Sequence, residues 1–302
     1  MFFATYLLED NENIGILTKD KERVIPIDCI FNRMNKLKPK NMNDLIDIMD
    51  DSVYNDIRSI LEQEELESLD IKNIKILAPI PYPIRNIFCL GKNYFEHMKE
   101  LSNTDLKNKE DVKYPIYFSK IANPAIGSGD DIIFDPNVTK MVDYEVELAV
   151  IIGKNCSNIE PHEAENYIFG YTIVNDISAR DIQSNHIQWF KGKSLDTFCP
   201  MGPYIAYKDE VSYPVKLNIS CKVNGEIRQN SNTEKMMFDI DYIISDLSKG
   251  ITLKPGDIII TGTPEGVGLG FKPPRLLSHG DIVECEIEGI GKLINNVICK
   301  EK

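Results

Sequence analysis

The chain has 302 residues, 42% of them hydrophobic, which is enough for a sizeable core in one large domain or in one domain with a small appendage. Forty-seven acidic residues against 34 basic ones give a formal charge of -13, and no stripe of Lys and Arg breaks it, so the long-range field repels nucleic acid and anionic lipid. Seven scattered cysteines without a Cys-x-x-Cys pair or zinc spacing read as reduced thiols, and no apolar run approaches the roughly 18 residues of a membrane helix, so a cytoplasmic protein with no membrane partner is expected.

Residues 1–75 read as a small lobe. The pieces "FFATYLL", "NIGILT" and "RVIPID" are strand-like, and Leu45, Ile48 and Met49, then Val53, Ile57, Ile60 and Leu61, recur at helical spacing. The stretch "ILAPIPYPIRNIF" carries Pro79, Pro81 and Pro83, which rule out a helix and mark an extended connector into a larger part, residues 76–302. In "GKNYFEHMKE", His97 and Glu100 stand at i and i+3, on one helical face. On spacing alone a solvated His–Glu pair is the commoner reading. The polar run that follows makes residues 98–112 a candidate loop or lid over a bound substrate.

Strands dominate the rest. "MVDYEVELAVIIGK" reads as a buried strand, "GYTIVNDISARDIQ" as a strand ending near Asp176, and "KLNISCKVNGEIRQ" as a hairpin around Asn224-Gly225, a pair suited to positive φ at both turn positions. "TEKMMFDIDYIISDLSKG" turns helical, with Met237, Ile240, Ile244 and Leu247 on one stripe and Gly250 as the stop. Because strand and helix do not alternate, the expected class is α+β, mainly β, a mixed β sandwich or roll with a small α+β N-terminal lobe.

Within the first of these strands, period two puts Glu145 and Glu147 on one side and Val146 and Leu148 on the other. Two neighbouring carboxylates in a half-buried place repel one another, and a cation is the natural remedy. Asp176, at a strand end, offers a third acid. Three carboxylates without histidine form a hard oxygen donor set suited to Mg²⁺ or Mn²⁺. An edge strand that turns both glutamates to water fits the alternation equally well. Glu163 and Glu165 share the spacing, but behind Pro161 they read as helical and solvated. The glycine-rich "TGTPEGVGLGFKPP" lacks a following helix, since Pro273 and Pro274 block one, and does not read as a nucleotide loop.

Together "GKNYFEHMKE", "DYEVELAVIIGK", "GYTIVNDISARDIQ", "KGKSLDTFCPMGP" and "GDIIITGTPEGVG" resemble the fumarylacetoacetate hydrolase family, in the family's order and over most of residues 85–300. The ending "GFKPPRLLSHGDIVECEIEGIG" is similar to bacterial members, among them oxaloacetate decarboxylase-like proteins. The resemblance implies that Glu145, Glu147 and Asp176 hold a divalent metal, that His97 and Glu100 form an acid–base pair, and that Lys193 is the active-site lysine. It further implies that Gln183 and Thr263 contact substrate and that the chain forms a homodimer. Arg180 and Asp181 read as a structural ion pair or as support for the site.

The chemistry so implied acts on a small 2-oxo acid through an enolate held by the metal. Acylpyruvate hydrolysis and oxaloacetate decarboxylation, both breaking the C3–C4 bond, lead. An isomerase of the 2-hydroxyhepta-2,4-diene-1,7-dioate type is the alternative among enzymes, and a non-catalytic metabolite-binding or scaffold protein the alternative outside them.

Overall fold

The computed structural model describes residues 1–101 and 112–300. The expected lid, residues 98–112, lies for the most part outside the described residues. The chain opens on strands β1 (Phe2–Leu8), β2 (Asn11–Leu17) and β3 (Arg23–Pro26), continues through helices α1 (Ile27–Met34), α2 (Met42–Ile48) and α3 (Asp51–Gln63), and reaches two short strands, β4 (Leu69–Asp70) and β5 (Lys75–Ile76). Next come β6 (Ile87–Gly91), α4 (Phe95–Leu101), β7 (Ile116–Lys120), β8 (Asp131–Phe134), β9 (Val142–Asp143), β10 (Val146–Ile152), β11 (Ile168–Asn175) and β12 (Ser178–Ala179). The last part holds α5 (Arg180–Asn185), α6 (Phe190–Lys193), β13 (Met201–Tyr207), β14 (Asn218–Val223), β15 (Glu226–Asn232), α7 (Ile240–Ser248), β16 (Ile258–Ile260), β17 (Ile282–Ile287) and β18 (Gly291–Cys299).

Helix α1 was not legible as a helix: the run read as the strand "RVIPID" ends at Pro26, whose φ of -57° and missing N–H suit the residue before a first helical turn. Asn41 and Asp50 cap α2 and α3 by accepting the N–H groups of Asp44 and Val53. Leu45, Met49, Val53 and Ile57 are buried as the spacing predicts, whereas Ile48 is exposed. Helix α7 begins only at Ile240, behind Asp239, which accepts the Tyr242 N–H; Met237 therefore precedes the helix instead of joining its stripe.

The strands form an eleven-stranded mixed sheet in the order β4-β3-β2-β1-β13-β11-β10-β16-β6-β7, with β5 added beside β1, and a five-stranded sheet β15-β14-β17-β18-β8. A two-stranded piece joins β12 to β9. The β1–β13 pairing, Phe3 opposite Ile205, makes the first strands part of the large sheet. One face of that sheet packs through Leu148, Val150 and Ile173 onto Cys221, Val283 and Leu293 of the smaller sheet. The other face packs through Ala149, Ile151 and Ile258 under Ile30, Phe31 and Leu45 of the helices. Covered on both sides, β10 is buried at every residue, the condition in which a strand becomes a continuous apolar run. The result is the expected mainly β sandwich, with α1, α2 and α3 on the outer face of the large sheet and α7 packed into the core between the sheets.

Asn224 and Gly225 stand at φ 52° and 78° between β14 and β15, as a two-residue hairpin turn requires. No atom lies within 4 Å of where a Gly225 side chain would start, so Gly225→Ala isolates the backbone cost. It is expected to lower stability by about 1 kcal/mol in urea denaturation, with activity unchanged.

Candidate metal and substrate site

The pairing of β10 with β11 brings the three acids together. Val146 lies opposite Asn175, and beyond that pair the Asp176 N–H donates to the Glu145 carbonyl at 2.8 Å, so Asp176 comes to rest beside Glu145. Glu145 and Glu147 share the face of Ala149 and Ile151, and Asp176 shares that of Val174, which belongs to the same core. Glu145, Glu147 and Asp176 are 5%, 1% and 0% exposed. One oxygen from each lies within 4.8 Å of the others. The edge-strand reading is therefore excluded: β10 runs between β11 and β16 in the interior of the sheet.

Cations surround these acids. Lys193 Nζ donates to Glu145 Oε2 and Asp176 Oδ2, both at 2.5 Å. Lys120 Nζ reaches Asp176 Oδ1 at 2.5 Å and the Ile177 carbonyl at 3.1 Å. Arg180 bridges Glu145 at 2.7 Å and Asp143 at 2.8 Å. Arg180 and Asp181 do not form the expected pair with each other. As neighbours at the start of α5 they point about 100° apart, and Asp181 instead accepts from the Thr139 hydroxyl and the Lys140 N–H.

Four buried carboxylates, Asp143, Glu145, Glu147 and Asp176, thus face three cations, Lys120, Arg180 and Lys193. The shortfall falls on Glu147, whose Oε2 receives, among the described residues, only the Gly262 N–H, at 2.6 Å. Burial, Asp176 and Glu145 push its carboxyl well above the ordinary range. Glu145, in spite of its burial, is held at about 2 by Lys193 and Arg180. An unneutralised carboxylate beside two others, all oxygen donors, fits a hard divalent cation. With one oxygen of each acid within 4.8 Å of the others, Glu145, Glu147 and Asp176 are the residues that would hold such a cation.

Lys120 is fully buried against Asp176 and had no signal in the sequence, being one lysine at the end of a strand. Lys120→Met would remove one of the two buried cations that pair with Asp176 and leave its Oδ1 without a partner among the described residues. The metal-free variant is expected to lose about 3 kcal/mol or more in urea denaturation, and less when Mn²⁺ is present.

A cavity of about 250 Å³ opens over this cluster. His97, Glu145, Glu147, Arg180, Lys193 and Thr263 supply its polar wall, and Leu90, Phe118 and Trp189 the apolar one. His97 is buried, with Nδ1 3.4 Å from Glu100 Oε2, and both Glu100 oxygens accept the Gly266 N–H at 3.1 Å. Lys193 is buried while Lys191, two residues away, is exposed. Gln183 lines the cavity and accepts from Arg180 Nη1 at 3.0 Å. The Thr263 hydroxyl donates to the Val146 carbonyl at 2.9 Å and accepts from Gln229 at 2.8 Å, which leaves it one further lone pair.

The glycine-rich run has a definite task here. Gly262 and Gly266 give their N–H groups to Glu147 and Glu100, and Gly268 and Leu269 give theirs to Asp143, so backbone donors hold three acids in place. Gly266 has φ 99°, and a side chain there would start 2.0 Å from the Arg228 carbonyl. Asp143 went unnoticed in the sequence although it continues the alternation of Glu145 and Glu147. Glu163 is occupied in closing a capping box with the Glu160 N–H, and Glu165 is exposed, apart from the site.

A model of the fumarylacetoacetate (FAA) hydrolase C-terminal family matches residues 86–298. The chain belongs to the fumarylacetoacetate hydrolase family. Its similarity to oxaloacetate tautomerase YisK of Bacillus subtilis is 40% identity, over 98% of this chain and all of that protein. A mitochondrial oxaloacetate tautomerase of Homo sapiens is 40% identical over 89% of this chain and 83% of its own. Among solved structures, fumarylacetoacetate hydrolase from Exiguobacterium antarcticum superposes with a TM-score of 0.82 at 34% identity, covering 99% of this chain and 100% of that one. Maleylpyruvate hydrolase from Sphingobium sp. SYK-6, solved with manganese(II) and pyruvate, gives 0.78 at 27% identity over the whole of both chains. Family members are thus enzymes with hydrolase, isomerase or tautomerase activity. No helix among the described residues is long and apolar enough to cross a membrane.

Proposed function

We propose that the chain is a divalent-metal-dependent enzyme that moves the carbon-3 proton of a small 2-oxo dicarboxylate, interconverting the keto and enol forms of oxaloacetate. The observation that carries this reading is that Glu145 and Glu147, clustered with Asp176, line one small cavity together with Lys193 and His97. The relatives named oxaloacetate tautomerase, at 40% identity over most or all of the chain, favour proton transfer over C–C cleavage, the leading expectation from the family resemblance.

A cation of the Mg²⁺ or Mn²⁺ kind, held by Glu145, Glu147 and Asp176, supplies Lewis acidity toward the 2-oxo group. His97 takes the proton from carbon 3 as general base. The electron pair of the broken C–H bond becomes the C2=C3 double bond, and the carbonyl oxygen gains the negative charge. Lys193, buried beside the same carboxylates, donates a hydrogen bond to that oxygen and then a proton. Glu100, fixed by the Gly266 N–H, keeps the imidazole oriented with Nδ1–H toward it and Nε2 as the base. The apolar wall limits water around the enolate.

Acylpyruvate hydrolysis is the second reading, favoured by the His97–Glu100 pair, which could equally activate water. The test is one assay series on metal-loaded protein: enol–keto conversion of oxaloacetate by absorbance, cleavage of an acylpyruvate, and conversion of a hydroxydienedioate. Oxaloacetate tautomerisation is expected to have the highest kcat/KM, to be abolished by chelator and to return with Mn²⁺ or Mg²⁺. Faster acylpyruvate cleavage would move the second reading to first place.

A further inference from the structure

Of the basic side chains lining the cavity, Arg180 and Lys193 are already bonded to carboxylates and His97 faces Glu100. Lys92 lines the same cavity and has no ion pair or hydrogen bond from its ammonium among the described residues.

The backbone holds Lys92 in place from both sides. On one side Gly91 lies so close under Trp189 that a side chain at 91 would start 2.2 Å from the indole ring. On the other, the buried Asn93 amide donates to the Phe238 and Thr261 carbonyls and its oxygen accepts the Phe238 N–H, each at 2.9 Å. Between them Lys92 stands at φ 56°, the left-handed region, which costs a residue with a Cβ about 1 kcal/mol. Strain of this kind persists where the surroundings over-determine a conformation, and here it fixes the backbone from which the Lys92 side chain extends at the cavity wall.

A 2-oxo dicarboxylate presents two anionic ends. Its 1-carboxylate and 2-oxo group suit the end of the cavity that holds the three acids, their cation and Lys193. The rest of the lining, Leu90, Phe118, Trp189 and Leu269 with the uncharged Gln183 and Ser184, offers the distal carboxylate no other free cation among the described residues, and an unpaired charge there is costly. We propose that Lys92 binds this distal carboxylate and gives the site its preference for dicarboxylic over monocarboxylic 2-oxo acids. The inference rests on the reading given under Proposed function.

The test compares oxaloacetate, with two carboxylates, and pyruvate, with one, on Mn²⁺-loaded protein. Trp189 is the only tryptophan and lines the cavity, so its fluorescence reports both dissociation constants without turnover. Lys92→Met is expected to weaken oxaloacetate binding about tenfold or more, through loss of a charge-assisted bond, while pyruvate binding stays within about twofold. KM for oxaloacetate should rise with kcat little changed, Lys92→Arg should restore most of the affinity, and Mn²⁺ affinity should not move. Equal weakening of both ligands, or no change in either, would overturn the role of Lys92. Failure of the wild-type protein to bind either ligand would instead overturn the proposed function, and this inference with it.

Discussion

Glu147→Ala is expected to lower kcat/KM for oxaloacetate about a thousandfold, roughly 4 kcal/mol of transition-state stabilisation, and to abolish Mn²⁺ binding measured by calorimetry. The metal-free variant should nevertheless be at least as stable as the parent. That combination follows from the charge balance: Glu147 lacks a side-chain cation, and burial, Asp176 and Glu145 raise its carboxyl, so its removal relieves repulsion in the metal-free fold. Glu145→Ala makes the opposite comparison. It would leave Lys193 and Arg180 without one of their partners, and should cost stability by about 3 kcal/mol as well as activity. Unchanged kinetics and Mn²⁺ binding in Glu147→Ala would remove the metal site from the proposal.

His97→Ala should lower kcat by between about a hundredfold and ten-thousandfold, the range for loss of a positioned general base. Mn²⁺ affinity should remain that of the parent, because His97 belongs to α4 and not to the three acids. Glu100→Gln should cost less, about tenfold, since an amide oxygen can still accept Nδ1–H but lacks the charge that favours the imidazolium. Kinetics of enol consumption measured by stopped flow, beside a Mn²⁺ titration of each variant, separate this acid–base role from metal binding. A drop in Mn²⁺ affinity in step with kcat would mean that His97 acts on the metal site.

Much of the centre was legible because strand geometry is local. Period two alone puts Glu145 and Glu147 on one face, and the strand run before Asp176 puts it at a strand end. The hairpin at Asn224-Gly225 was legible for the same reason, as positive φ at consecutive residues is a demand on residue type. Lys120, Asp143 and the partners of Arg180 were not. The Lys120–Asp176 and Arg180–Asp143 contacts join residues 56 and 37 positions apart, and nothing in a short window marks a lysine as one that will be buried on an aspartate. Local spacing also misplaced Met237 and Ile48, since a cap or a neighbouring element decides where a periodic pattern begins to be buried.

Residue order by itself determined the secondary-structure menu, the pairing of the two glutamates on one strand face and the family, because alternation, turn chemistry and quoted motifs are properties of neighbouring residues. Tertiary structure decided that β10 is an interior strand, that Lys120, Arg180 and Lys193 pair with three of the four buried acids of the site, and that Lys92 has no ion pair among the described residues at the cavity wall. The physical reason is burial: the energy of a charge depends on what replaces its water, and only the packed sheets and helices determine that.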